Sequence, residues 1–276
     1  MTPEQIKRDT RLFGLVGDAL EKTPLPAMLN AFYDFNGLNA FCSIFNIRDD
    51  DVPFFLTNIK TKTISGLFIQ PSHGEKVLEY IDLFSPESEV SGAVDAILIK
   101  DGKLYGECFK AQGMVEELAG HGGINRKTVA IIGCNAMGLA AAYLLAKANP
   151  ARMVAVDESP EKAMALTKKV EGSSGFVSFG IERCAEGVTT DLSDADVIVN
   201  FSSVDSGAAF SDLKTGAVVY DVEGSLAGLS WQKGIRYQGP YYLTMLQAKI
   251  MSDQIFGAES VIDEKFMESA EVIEIF

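Results

Sequence analysis

The chain has 276 residues, 47% hydrophobic and 22% charged. That is the balance of an ordinary globular protein, with room for two domains at roughly 100–200 residues each. Its 38 acidic and 24 basic residues leave a net charge of −14, which argues against a nucleic-acid partner and an anionic membrane surface. The longest apolar runs, Val129–Ile132 and Ala140–Ala146, fall far short of a membrane span. The charged start MTPEQIKRDTR has no apolar signal region, so a cytoplasmic location is expected. The four cysteines (Cys42, Cys108, Cys134, Cys184) are widely spaced and there are two histidines (His73, His121). This lacks the pattern of a zinc site and reads as reduced, buried thiols, with no metal expected.

Strand-length apolar runs alternate with helix-period segments. Leu12–Val16 is predicted as a strand, Pro26–Asn36 as a helix and Ala40–Phe45 as a strand. Asp49-Asp50-Asp51 reads as a solvated helix start rather than a cation site. Leu67–Ile69 is a predicted strand and Glu75–Leu83 a helix. Ala93–Lys100 and Lys103–Tyr105 flank Asp101-Gly102, a two-residue hairpin signal. Val115–Leu118 belongs to a helix, and Gly120–Lys127 marks the start of a second α/β unit. There Val129–Ile132, Met153–Val156, Val197–Val199 and Val218–Tyr220 are predicted strands, with helices at Ala136–Lys147 and Pro160–Val170. Tyr241–Phe256 is a long closing helix. Such alternation predicts an α/β protein with parallel sheets and crossover helices. Tyr241-Tyr242 and Trp231 read as core or interface. The acidic tail Glu259–Phe276 is compatible with an extra helix, a strand or an oligomer contact, and the chain with a monomer or a homodimer.

The strongest local signal is TVAIIGCNAMGLAAA, Thr128–Ala142. A buried strand runs through Gly133-Cys134-Asn135-Ala136-Met137-Gly138 into an alanine-rich helix, close to the dinucleotide fingerprint G-x-G-x-x-G. Gly133 suits the tight turn, Gly138 suits close helix–strand packing, and the amides opening the helix suit a pyrophosphate. Asn135 replaces the middle glycine. It tolerates left-handed backbone angles, but its side chain takes space that phosphates would use. Asp157 follows Gly133 by 24 positions, the spacing at which an acidic residue meets the adenosine ribose. Glu158 and Ser159 come next, with no Arg or Lys until Lys162. A 2′-phosphate there would face two carboxylates, so NAD is expected over NADP. The bland alternatives are a structural turn, and an Asp157 that caps the helix beginning at Pro160.

Several segments together resemble the shikimate/quinate dehydrogenase family. They are Gly14–Tyr33 (GLVGDALEKTPLPAMLNAFY), Val77–Gly106 with its hairpin, DADVIVNFSS at Asp194–Ser203, and LQAKIMSDQIFG at Leu246–Gly257. The resemblance implies an N-terminal α/β substrate domain (1–107), a C-terminal Rossmann domain (108–240), and a closing helix and tail (241–276) that return to the first, with the reaction in the cleft between the domains. It adds Asn200 and Ser202 to Gly133, Asn135, Ala136, Met137, Gly138 and Asp157 as candidate cofactor contacts.

The family's chemistry rests on a Lys/Asp pair that moves the substrate hydroxyl proton. Its N-V-T-I-P-H-K motif aligns with Phe68-Ile69-Gln70-Pro71-Ser72-His73-Gly74, placing Gly74, or with Pro71 matched His73, at the lysine. Its G-x-N-T-D-G-x-G motif aligns with Gly106–Gly113, placing Lys110 at the aspartate and Cys108 at the asparagine. The asparagine of G-A-V-N-T is Asp95, the S-x-S pair becomes Thr23-Pro24-Leu25, and a tyrosine after the Asp221 strand becomes Glu223; Gln247 is retained. Lys110 and His73 are therefore the candidate proton-transfer residues, and Thr23, Gln70, Asp95, Glu223 and Gln247 the candidate substrate contacts. Losing several fixed donors at about 1–3 kcal/mol each makes tight shikimate binding unexpected. The expectation is an NAD-dependent oxidoreductase acting on another small polar substrate. The alternatives are a non-catalytic nucleotide- or metabolite-binding relative, and a true shikimate or quinate dehydrogenase with a rearranged site.

Overall fold

The computed structural model describes residues 6–60, 63–172, 177–183, 189–202, 209–228, 234–263 and 265–267. Cys184, Ser203, Trp231 and the tail beyond 267 lie outside the described residues. The chain forms two compact units: Met1–Lys110 with Thr244–Phe276, and Ala111–Leu243.

The first unit carries a six-stranded sheet. Its strands are β1 (Arg11–Gly17), β2 (Ala40–Asn46), β3 (Ile64–Ile69), β4 (Leu83–Phe84), β5 (Ala96–Lys100) and β6 (Lys103–Glu107), in the order β2-β1-β3-β5-β6-β4. β1, β2 and β3 run parallel. β5 and β6 form the expected hairpin, antiparallel because a two-residue turn permits nothing else. Asp101 (φ 52°) and Gly102 (φ 72°) are both left-handed, as a type I′ turn requires. This sheet is therefore mixed, with parallel strands β1–β3 and the antiparallel hairpin that Asp101-Gly102 predicts. Helix α1 (Leu25–Phe35) buries Met28, Leu29, Phe32 and Tyr33. Asn30 pins it to β2 by accepting from the Cys42 N–H and donating to the Cys42 carbonyl. Helix α2 (Val52–Asn58) adds Val52 and Leu56 to a core with Val16, Leu67, Ile69, Ile97 and Leu104.

One predicted helix is absent. The 75–83 segment instead forms a 3-10 turn, Leu78–Tyr80, and then the short strand β4 parallel to β6. Val77 still reaches the core. Asp82, however, donates its N–H to the Leu104 carbonyl, accepts the Leu104 N–H and pairs with Lys60, drawing the chain out along the sheet edge. Helix α3 (Pro86–Ser91), capped by Ser85, follows.

Helix α4 (Phe109–Gly120) opens in the last two residues of the first unit's leading segment and runs on as the start of the second unit, from Ala111. Its main sheet is wholly parallel: β7 (Thr128–Ile132), β8 (Arg152–Asp157), β9 (Ser178–Arg183), β11 (Val197–Asn200), β13 (Val218–Asp221) and β14 (Arg236–Gln238), in the order β14-β13-β11-β7-β8-β9. Two short strands, β10 (Thr189–Thr190) and β12 (Ala209–Phe210), pair separately. Counted from β7, the main order is the 3-2-1-4-5-6 of a doubly wound Rossmann sheet, with its switch point between β7 and β11. Helix α5 (Ala136–Lys147) matches its predicted bounds. Helix α6 (Pro160–Glu171) has Glu161 in its first turn and Lys168 and Lys169 in its last, complementing its dipole.

Helix α7 (Pro240–Phe256) enters the first unit at Thr244. There a Cβ on Gly66 would lie 2.7 Å from the Met251 sulfur, so the missing side chain lets helix and sheet approach. The described part of the tail packs on α1: Phe266 stacks edge-on against Phe32, and Asn36 exchanges two hydrogen bonds with Val261. Among the described residues, no helix is long and apolar enough to cross a membrane.

The hairpin provides a stability test. Gly102→Ala forces a side chain into a left-handed position and is expected to cost about 1 kcal/mol in urea unfolding. Asp101→Asn, which tolerates that region, is expected to be nearly neutral.

Candidate functional site

The turn between β7 and α5 is shaped by two close approaches. Gly133 has φ +85°, and a Cβ there would lie 2.8 Å from the Phe201 carbonyl carbon and the Ser202 nitrogen. A Cβ on Gly138 would lie 2.1 Å from the Gly133 carbonyl oxygen. Both contacts are with backbone, which cannot yield, so strand, turn and helix close on one another only with glycine at these positions. The turn thus sits against the chain leaving β11, at the switch point where doubly wound sheets bind ligands.

Asn135 does not use the left-handed region. Its backbone is extended (φ −84°, ψ −175°) and it is the N-cap of α5. Its Oδ1 accepts the Gly138 N–H at 2.9 Å, and its Nδ2 donates to the Phe201 carbonyl at 2.8 Å. The residue that replaces the fingerprint's middle glycine therefore ties α5 to the β11 loop. Ala136 and Met137, the first helical residues, keep amides with no acceptor inside the helix. They are positioned to meet an anion where the helix dipole favours one.

Asp157, half-buried at the end of β8, does not cap α6; Ser159 does, accepting the Lys162 N–H. Asp157 instead accepts the Cys134 N–H at 2.7 Å on one oxygen and the Ser159 N–H at 3.0 Å on the other. It locks the β7 turn to the β8 loop, and each oxygen retains a lone pair for a ribose hydroxyl. Burial and the Asp157 charge push the Cys134 thiol up to about 12, so it stays protonated and unreactive. A dinucleotide fits this donor set: two free amides for pyrophosphate and a carboxylate for ribose.

Behind the turn stands a network that sequence reasoning missed. Asn200, fully buried, donates to Asp221 at 2.7 Å and to Ser225 at 2.8 Å, and its Oδ1 accepts the Ser202 N–H. Asp221, also fully buried, further accepts from the Gly224 and Leu226 N–H groups and the Tyr237 hydroxyl. Burial, then the hydrogen bond to Asp221, raises the Tyr237 pKa. Asn200 thus shapes the Ser202 turn from behind. The available signal was an acidic residue ending β13 beside the N-F-S segment ending β11.

In the first unit, Asp95 is the hub. Buried after α3, it accepts the Phe109 N–H at 2.8 Å on one oxygen and the Lys110 N–H at 3.0 Å on the other, so it caps α4. Gln247, buried on α7, donates to the Asp95 carbonyl at 2.6 Å and to its Oδ1 at 3.3 Å. Burial raises the Asp95 pKa, opposed first by the Lys110 charge and then by the two amides. Asp95, Lys110 and Gln247 therefore form one group. Cys108, at the family's asparagine position, is buried and donates to the Ala93 carbonyl.

His73 is bonded differently. It is fully buried rather than part-exposed, with Nε2 2.6 Å from the Ile47 carbonyl and Nδ1 3.0 Å from the Ser72 hydroxyl. A carbonyl only accepts, so Nε2 carries the proton, and both nitrogens are engaged in holding the loop after β2. Asp49, of the acidic run, pairs with Lys76, whose hydrogen bond lowers the Asp49 pKa. Gln70 is half-buried and folds its methylenes over Gly17, at the carboxyl ends of β3 and β1. Thr23 is half-buried before α1, its hydroxyl 3.4 Å from the Leu25 N–H. Glu223 is exposed on the loop after β13.

No family model matches the chain. A shikimate dehydrogenase (NADP(+)) of Methanocaldococcus jannaschii is 28% identical over 202 residues, 72% of this chain and 70% of that protein. Among solved structures, the ligand-free 5-ketofructose reductase of Gluconobacter sp. strain CHM43 is similar with a TM-score of 0.82 at 21% identity, covering 98% of this chain and 100% of that one. A shikimate dehydrogenase in complex with NADP+ has a TM-score of 0.76 at 23% identity, covering 98% of each chain. These two solved structures share the fold.

Two outcomes test this geometry. Asn135→Ala removes a helix cap and leaves the Phe201 carbonyl short of a donor, so urea unfolding is expected to show a loss of about 2 kcal/mol. Asn135→Ser, which keeps the cap alone, is expected to lose about half as much. For Asp95, the folded state holds its proton to higher pH than the unfolded chain, so its contribution is present at low pH and is lost as pH rises through the raised folded value. The stability advantage of wild type over Asp95→Asn is therefore expected to be smaller at pH 7 than at pH 4.

Proposed function

The chain is a relative of the shikimate dehydrogenases, and we propose that it is an oxidoreductase transferring hydride between a nicotinamide dinucleotide and a small polar substrate other than shikimate. The observation that carries this reading is the Gly133–Gly138 turn at the switch point, with Asp157 locked beside it. When bound, the dinucleotide supplies the hydride acceptor or donor. Ala136 and Met137 would hold its pyrophosphate by their amides, and Asp157 its adenosine ribose. Ser202, held from behind by Asn200 and Asp221, would line the β11 side. Asp157 and Glu158 disfavour a 2′-phosphate, so NAD is the preferred coenzyme here, although the M. jannaschii relative is named for NADP(+).

Lys110 is the proton-transfer residue in this reading. Asp95 fixes its backbone at the first turn of α4 and faces its charge. In the reductive direction its ammonium donates a proton to the oxygen that gains electron density; in the oxidative direction its amine takes the hydroxyl proton. Such positioned transfer is worth about 10²–10⁴-fold in rate. Thr23, Gln70 and Gln247 would supply polar contacts, and His73 holds the loop after β2. The substrate differs from shikimate because the family's lysine, aspartate and serine positions all carry other groups. The fold itself serves more than one substrate, as the 5-ketofructose reductase shows for its own chain.

The His73 geometry favours a second reading, a coenzyme-binding relative without turnover, because it removes one of the two candidate proton carriers. The two are separated by screening alcohols and carbonyl compounds for NADH-linked absorbance change. Turnover that falls about 10²–10⁴-fold in Lys110→Ala, with NADH still bound, supports the enzyme. Tight NADH binding without turnover on any substrate supports the second reading. Shikimate-dependent NADH production would instead return the protein to its relatives' named activity. In that case Gly74→Lys with Lys110→Asp should raise the rate. A side chain can start at this position, since a Cβ on Gly74 meets nothing closer than 3.5 Å.

A further inference from the structure

Asp157 closes β8, and its in-register neighbour on β9 is Arg183. Parallel neighbours in register share a face of the sheet and lie about 4.8 Å apart. The segment after β8 offers no cation before Lys162, but the fold brings one to the Asp157 position from 26 residues away. Arg183 is exposed, and its charge reaches α6, where it acts with the Ser159 hydrogen bond to lower the Glu161 pKa. The charged groups around this corner are Asp157, Glu158, Glu161, Lys162, Glu182 and Arg183.

An adenosine ribose with a free 2′-hydroxyl needs only the Asp157 carboxylate. A 2′-phosphate adds about 1.5–2 negative charges against Asp157 and Glu158, and is best met by a planar guanidinium with paired donors. We propose that Arg183 is the specificity residue at the adenosine end: its guanidinium donates to a 2′-phosphate and keeps NADP(H) bindable at a corner whose β8 carboxylates favour NAD(H). The proposal rests on the dinucleotide reading above.

The experiment is a fluorescence titration of wild type, Arg183→Glu and Glu158→Gln with NADH and with NADPH, read as the ratio of the two dissociation constants. Arg183→Glu is expected to shift that ratio about tenfold or more toward NADH, the value of one charge-assisted hydrogen bond. Glu158→Gln is expected to shift it the other way. The proposal is overturned if the ratio is the same in Arg183→Glu as in wild type, or if wild type binds NADH but no NADPH. If wild type binds neither coenzyme, the dinucleotide reading falls as well, which distinguishes the two failures.

Discussion

A side chain on residue 138 would stand 2.1 Å from the Gly133 carbonyl oxygen, and one on residue 133 would meet the backbone of Phe201 and Ser202 at 2.8 Å. This three-way closeness of β7, α5 and the β11 loop is the constraint from which the second unit is organised. It puts the start of α5 at the switch point with two amides facing outward. It also brings the β11 loop close enough for Asn135 to reach Phe201. Asp157 closes the third side through Cys134. The Asn200–Asp221 network then holds the β11 loop from within the sheet. Each piece alone is ordinary; together they fix the same few backbone atoms.

The two units share a logic at the points where the chain departs from its relatives' pattern. Asn135 stands for a glycine, and it becomes a cap and a strut. Asp95 stands for an asparagine, and its two oxygens accept the two amides that open α4 while Gln247 holds it from α7. The buried carboxylate lies under the influence of Lys110, which itself stands where the relatives' motif has an acid. The exchange of charges is therefore reciprocal: an acid deeper in the unit, a base on the helix that it caps.

Much of the fold was legible in the sequence because it followed local rules. Asp101-Gly102 dictated its hairpin, and the alanine-rich run after Gly133 gave α5 at its observed bounds. The 75–83 segment misled because its helical period was real but weaker than the pull of Asp82 on Leu104 and Lys60, contacts made across the sheet. The edge strands β9 and β14 were missed because they lack the buried apolar run of a central strand. At the turn, the tight bend at Gly133 and the close packing at Gly138 were legible from spacing. The engaged ring of His73, the roles of Asn135 and Asp221, and the Arg183 neighbour of Asp157 were not. All of these depend on which strands lie side by side, and parallel pairing joins residues that are far apart in sequence.

The central claim is that the turn opening α5 binds a nicotinamide dinucleotide through its own amides. Hydrogen–deuterium exchange of the full-length protein, with and without NADH, tests it most directly. The account predicts slowed exchange at 134–138 and in the loop after β11 when NADH is present. Binding without slowed exchange at the turn, or no response anywhere in the second unit, would contradict it.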